Sequence, residues 1–155
     1  RYDGDPPLRL ILAGDGPLRP EVEAAAARLA WFDYRGPVEQ GPRGTLALYH
    51  AADAVVMPSL AEGMPMVALE AQACALPLIA SRVGGLPEIV RDEETGLLVP
   101  PGDVASLAAA IERLARDRSL ARRMGAAGRA RVSAEFTQER MLSQLDAAYR
   151  DAIRR

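Results

Sequence analysis

The chain has 155 residues, of which 49% are hydrophobic and 26% charged, and its formal net charge is −2. This composition is typical of a globular domain, excludes a disordered or collagen-like chain and argues against nucleic acid as the main partner. No apolar run is long enough to span a bilayer, and we expect no signal peptide in the first residues given. Because Cys74 is the single cysteine, a disulfide framework is excluded as well.

Short apolar segments alternate with helical segments along the chain. Strands are predicted over residues 8–13, in a segment ending at 36, and over 53–58, 76–81 and 96–100. Helices are predicted over 21–30, 44–52, 65–75 and 86–90, then after an N-cap at Asp103 and over about 137–155 after an N-cap at Thr137. This alternation predicts one doubly wound, mostly parallel α/β domain over residues 1–155, with helices on both faces of its sheet.

Ligands of open α/β sheets bind at the carboxyl ends of the strands, where three loops stand out: 14–17, 59–66 and 83–86. The first has two glycines of a dinucleotide-binding fingerprint, but Arg19 replaces the third, which disfavours an NAD-dependent oxidoreductase. For Gly16, contact with a phosphate and a plain strand-to-helix turn both remain open.

The second loop contains two carboxylates eight residues apart, on either side of a predicted helix start. Glu62 precedes the helix and Glu70 lies in its second turn, leaning back towards the loop, with a span of about 12 Å if helical. The N–H groups of a helix N-terminus between them form an anion site. One carboxylate at each end and an anion site in the middle match a ligand with hydroxyls on both sides of a diphosphate.

Each carboxylate also has a simpler interpretation. Glu62 could be a solvated loop residue, and a structural hydrogen bond could satisfy Glu70. The helix around Glu70 is apolar on nearly every side, and a carboxylate in such a helix must find a partner. We favour the hydroxyls of a ribose diol, because an ionised carboxylate accepts two hydrogen bonds well.

The segment 52–59 (ADAVVMPS), followed by Glu62-Gly63 and Glu70-Ala71, resembles the E-x7-E signature of the family-four retaining glycosyltransferases. The similarity continues through 14–19 (GDGPLR), 84–88 (GGLPE) and 95–103 (TGLLVPPGD), and covers about residues 8–135. Members of this family have the GT-B fold, in which two Rossmann-like domains face each other across a cleft. The resemblance implies that this chain is the C-terminal, donor-binding domain.

The resemblance also implies roles for individual residues. Glu62, the catalytic-site residue, would contact hydroxyls of the transferred sugar, and Glu70 would bind the ribose. Gly16 would belong to the donor site, and the loop 35–38 would lie near the base. The residues whose backbone would hold the sugar and diphosphate are Gly63, Met64, Pro65, Met66 and Val67. Transfer would retain the anomeric configuration without an enzyme nucleophile, a metal or another cofactor.

The expected partners are a UDP- or GDP-hexose donor and an N-terminal acceptor domain of the same protein, with no nucleic acid. The resemblance leaves open a peripheral membrane contact of the full-length protein, and we predict a cytoplasmic location. A non-catalytic nucleotide-sugar binding module is the alternative from another functional class. The Asp3-Gly4-Asp5 segment matches the metal-binding pattern of a different glycosyltransferase fold and is interpreted as a solvated loop.

Three features depart from the family pattern. We expect the first strand of the family to be missing with its Gly-Arg and Lys-Gly loop, and because all 19 basic residues are arginine the chain has no lysine for a diphosphate. Ala75 stands where glycine is usual, and the segment 30–34 is about three residues shorter than the pattern. We therefore expect the strands at 8–13 and 53–58 to keep an unpaired edge each. Residues 1–155 alone are expected to be poorly stable, oligomeric or strand-swapped, and inactive as a transferase.

Overall fold

The computed structural model of the protein describes residues 7–154 as two compact units, the first ending at Ala51 and the second beginning at Ala52. The motif at residues 3–5 lies outside the described residues. No helix of the described part is long and apolar enough to cross a membrane.

The first unit pairs two parallel strands. Its elements are β1 (Leu10–Ala13), α1 (Arg19–Arg28), β2 (Phe32–Gly36) and α2 (Thr45–Ala51). The carboxylate of Asp33 on β2 is bound by Arg9 at 2.6 Å and by Arg35 at 2.7 Å. The hydrogen bond from Arg9, more than the second guanidinium, holds the pKa of Asp33 below its usual value. This ion pair ties the residue before β1 to the neighbouring strand.

The second unit contains a parallel three-stranded sheet in the order β3-β4-β5. Its elements are β3 (Val55–Met57), α3 (Met66–Ala73), β4 (Leu78–Ser81), α4 (Leu86–Ile89), β5 (Gly96–Val99), α5 (Val104–Arg116), α6 (Arg118–Glu135) and α7 (Gln138–Ile153). All four residues of the central strand β4 are buried, as expected for a strand covered on both faces. One cluster of buried residues in the core comprises Ile79, Leu97, Val99, Ala110, Leu114, Ala121 and Met124.

Helix α6 was not delimited from the sequence as an element of its own. Asp117 alone separates it from α5, ending that helix and accepting a hydrogen bond from the N–H of Leu120 at 2.8 Å as the N-cap of α6. The glycines Gly125 and Gly128 bring α6 against α3, because a Cβ on the first would overlap the carbonyl oxygen of Ala75. A Cβ on the second would lie 3.2 Å from the Gln72 side chain.

The α/β fold predicted from the sequence, with parallel strands and helices, is confirmed. Both predicted N-caps are confirmed as well, since the side chains of Asp103 and Thr137 accept hydrogen bonds from the backbone N–H groups of Ser106 and Arg140. Among the described residues, β1 pairs only with β2 and β3 only with β4.

Candidate functional site

The loop that leads from β3 to α3 carries Glu62. The hydroxyl of Ser59 donates a hydrogen bond of 2.7 Å to Oε1 of Glu62, and both residues are half-buried. No other hydrogen bond to this carboxylate is present in the described part of the chain, so Oε2 can still accept one from a ligand. The sequence pointed to Glu62 but assigned no role to Ser59, although their spacing of three residues permits a local hydrogen bond.

The backbone of this loop rests on the turn before α4. The N–H of Gly85 donates to the carbonyl oxygen of Gly63 at 2.7 Å. A Cβ on Gly84 would overlap the carbonyl oxygen of Glu62, and a Cβ on Gly85 would lie 2.5 Å from that of Gly63. Gly84 also has a φ of +51°, a conformation that favours glycine. Both glycines are therefore required for the backbone at residues 62–63 to lie where it does.

The segment between the two carboxylates contains the N-terminus of α3. Pro65 is the N-cap, so α3 begins at Met66, one residue later than the sequence predicts. No side chain caps its first turn. The first N–H groups of an α-helix have no acceptor within the helix, and the helix dipole makes this end attractive to an anion. The side chains of Met64, Met66 and Val67 are exposed. The backbone of residues 63–67 can therefore meet a ligand from solvent.

Glu70 lies in the second turn of α3 and is half-buried. Although the sequence of this helix is apolar on nearly every side, its buried residues are Ala68, Ala71 and Gln72, so Glu70 is not enclosed by the core. The structure does place Glu62, the segment 63–67 and Glu70 on one continuous loop and helix. Their roles as sugar, phosphate and ribose contacts stay predictions.

In the glycine loop 14–17 of the first unit, polar backbone groups form hydrogen bonds with nearby side chains. The N–H of Gly16 donates to Oδ1 of Asp15 at 2.9 Å, and Arg19 bridges Asp15 and Glu23. The hydroxyl of Tyr34 donates to the carbonyl oxygen of Gly14 at 2.9 Å. A phosphate would have to displace Asp15 to reach the N–H of Gly16, and the donor-binding role of Gly16 stays a prediction.

A small cavity of about 150 Å³ opens where β3, β4 and β5 end. Its lining is mostly apolar and consists of Pro58, Ser81, Val99, Pro100, Gly102, Asp103, Val104 and Leu107. Pockets for drug-sized ligands hold about 300–1,000 Å³, so this cavity is too small for a nucleotide-sugar. The Glu62 loop and the start of α3 therefore remain the better candidate site.

Residues 2–117 match the model of the family described as "Glycosyl transferases group 1". The chain belongs to this family. The predicted membership among the family-four glycosyltransferases is thus confirmed, as is the identification with a C-terminal half of a GT-B structure.

Similar proteins agree with this assignment. D-inositol 3-phosphate glycosyltransferase of Streptomyces bingchenggensis is 37% identical over 164 residues, covering 98% of this chain and 35% of the relative. Sucrose-phosphate synthase of Thermosynechococcus elongatus has a similar structure, with a TM-score of 0.79, 38% identity, and coverage of 94% of this chain and 38% of the other. Anabaena HepE, solved in complex with UDP, shares the fold with a TM-score of 0.82 at 24% identity, and the match covers 94% of this chain and 42% of HepE. The chain therefore spans about 35–42% of the length of these three proteins.

Proposed function

We propose that this domain binds the nucleotide-diphosphate sugar donor of a retaining hexosyltransferase. The observation that carries the proposal is the arrangement of Glu62, an uncapped helix N-terminus and Glu70 along one loop and helix. Under this proposal the full-length protein also contains an N-terminal acceptor domain. The donor is a UDP- or GDP-hexose.

The chemistry of each part suits one part of such a donor. The carboxylate of Glu70 accepts hydrogen bonds from the ribose hydroxyls, and Oε2 of Glu62 accepts one from a sugar hydroxyl. Between them, the N–H groups at the start of α3 receive the diphosphate, as helix N-termini commonly do. A structure of HepE contains UDP-glucose, and a shared fold with that protein supports the choice of ligand class.

The departing diphosphate gains negative charge as the bond to the sugar breaks. The dipole and N–H groups of α3 stabilise this charge in place, without reorganising at the moment of reaction. The proposal assigns no nucleophile to the protein, and the anomeric configuration is retained. It also needs no metal, so turnover in excess EDTA should equal turnover without it.

A thermal-shift panel tests the donor assignment. The full-length protein is heated with UDP, GDP, ADP and a hexose conjugate of each, because a ligand that binds the folded state raises the melting temperature. The compounds of one nucleotide series should raise the melting temperature more than those of the other two series. Within that series, the sugar conjugate should raise it at least as much as the free nucleotide. No shift with any of the compounds would refute donor binding. We also propose that residues 1–155 alone do not transfer sugar, because the acceptor side would be missing.

A further inference from the structure

We infer that Ser59 is a positioning residue for Glu62, acting through its hydroxyl on one oxygen of the carboxylate. This inference rests on the proposed function of Glu62 and deepens it. The hydrogen bond from Ser59 to Oε1 is 2.7 Å long, the usual length for a well-formed hydroxyl donor.

The backbone on both sides of this hydrogen bond is already held in place. Ser59 follows β3 and Pro58, and β3 is paired along its length with the buried strand β4. At the other end, the carbonyl groups of residues 62 and 63 rest on the turn at Gly84 and Gly85. The remaining freedom of Glu62 is rotation of its side chain.

Ser59 removes this freedom. A half-buried Glu side chain has three rotatable bonds, and fixing them when the donor binds would cost conformational entropy. With Oε1 held by the Ser59 hydroxyl, Oε2 is presented in one orientation before any ligand arrives.

Helix α4, which follows this turn, is held at its other end by a contact with α6. Arg131 on α6 donates to the carbonyl oxygens of Glu88, at 2.7 Å, and of Ile89, at the end of α4. The same guanidinium lies over the ring of Phe136, and its Cζ atom is 5.4 Å from the ring centroid. The Ser59 hydroxyl thus orients the Glu62 carboxylate in a loop whose backbone is held on both sides.

A double-mutant cycle in the full-length protein tests the inference. The variants are Ser59→Ala, Glu62→Ala and the double substitution, with Ser59→Thr as the conservative variant that keeps the hydroxyl. Release of nucleotide from the sugar donor chosen by the thermal-shift panel gives turnover. Calorimetry with the free nucleotide gives affinity, and thermal unfolding checks that each variant folds.

We expect Ser59→Ala to lower turnover about ten- to a hundredfold, which corresponds to the loss of one hydrogen bond to a charged group. Free-nucleotide affinity should stay within about twofold, because Glu62 contacts only the sugar in the proposed function. Ser59→Thr should recover most of the turnover. In the Glu62→Ala background, Ser59→Ala should have no further effect, since residues that act through one another are not additive.

Three outcomes would overturn the inference while leaving the proposed function intact: wild-type turnover in Ser59→Ala, full additivity in the cycle, or a parallel loss of free-nucleotide affinity. Wild-type turnover in Glu62→Ala would instead refute the proposed role of Glu62, and the inference with it. The failures of the two claims are therefore distinguishable.

Discussion

The carbonyl oxygen of Glu62 occupies the space that a side chain on Gly84 would need, although the two residues are 22 positions apart in the chain. The N–H of the next residue, Gly85, adds a hydrogen bond to the carbonyl oxygen of Gly63. The loop 83–86 thus supports the loop 59–66. This relationship gives the GGLPE segment a physical role beyond joining β4 to α4.

We predict that Gly84→Ala destabilises the protein and impairs use of the sugar donor. Its left-handed φ of +51° alone costs about 1–2 kcal/mol for a residue with a Cβ. The overlap with Glu62 adds to this cost and shifts the loop, so turnover should fall more than free-nucleotide affinity does. Thermal unfolding and donor turnover measure the two effects.

Gly63→Ala is the matched control for stability. A Cβ at Gly63 meets no atom within 4 Å, and its φ is not in the left-handed region. Thermal unfolding of this variant should show a change of no more than about 0.5 kcal/mol in the free energy of unfolding. Equal destabilisation of both variants would show that Gly84 has no special contact with Glu62.

A second prediction separates the two carboxylates of the site. Glu70→Ala should weaken the binding of free nucleotide and of nucleotide-sugar alike, by about 1.5–3 kcal/mol, because under the proposed function it removes the charged acceptor of hydrogen bonds from the ribose. Glu62→Ala should spare free-nucleotide affinity and lower turnover with the sugar donor. Calorimetry with both ligands gives the comparison.

Two results would contradict these assignments. Unchanged nucleotide affinity in Glu70→Ala would show that this carboxylate does not bind ribose. Equal losses for nucleotide and nucleotide-sugar in Glu62→Ala would show that Glu62 contacts the shared part of the ligands.

Local signals in the sequence predicted local structure well. Asp103 and Thr137 are N-caps because each carries a short side-chain oxygen just before an amphipathic helix, and both caps form. Helix α6 lacked such a clear boundary, since only Asp117 interrupts a run of residues with good helix propensity. A single capping residue between two helices is a weak signal without a nearby glycine or proline.

The long-range contacts could not be predicted from the sequence. Nothing local shows that Gly84 faces Glu62 or that Gly125 faces Ala75, because both approaches depend on tertiary packing. The hydrogen bond from Ser59 could be recognised only once the loop conformation was known. The sequence therefore identified the two carboxylates of the candidate site, and the structure added the residues that support one of them.

The departure at Ala75 has a structural consequence. Ala75 has a φ of +59° and follows the C-cap of α3, where its N–H donates to the carbonyl oxygen of Gln72 at 2.9 Å. The N–H of Leu76 donates to the carbonyl oxygen of Ala71 at 3.0 Å, which completes a Schellman motif. Glycine adopts this conformation without the penalty of a Cβ, which is the physical reason for glycine at this position.

We therefore predict that Ala75→Gly stabilises the protein by about 0.5–1 kcal/mol. The gain is the relief of left-handed strain less the larger entropy that glycine loses on folding. Ala73→Gly, in the exposed last turn of α3, is the matched control and should destabilise by about 1 kcal/mol. Urea unfolding measures both, and destabilisation by Ala75→Gly would contradict the proposed strain.

The last prediction concerns stability in acid. The hydroxyl of Ser106 donates to Oδ2 of Asp103 at 2.6 Å and its N–H donates to Oδ1 at 3.0 Å. These hydrogen bonds, the one from the hydroxyl first, hold the pKa of Asp103 below its usual value. A carboxyl group with a lowered pKa in the folded state stabilises the fold above its unfolded pKa of about 3.9, and this stability is lost as the pH falls through the folded pKa.

Asp103→Asn separates this titration from the capping itself. Asparagine is as good an N-cap as aspartate but does not ionise, so the variant keeps the cap of α5 at every pH. The other carboxylates titrate in both proteins, and their effects cancel in the difference between them. Wild-type stability should therefore exceed that of Asp103→Asn at pH 6, and the difference should shrink as the pH falls to about 3. Urea unfolding across this range measures the difference, and a difference that stays constant with pH would show that the charge of Asp103 does not contribute to the stability of the fold.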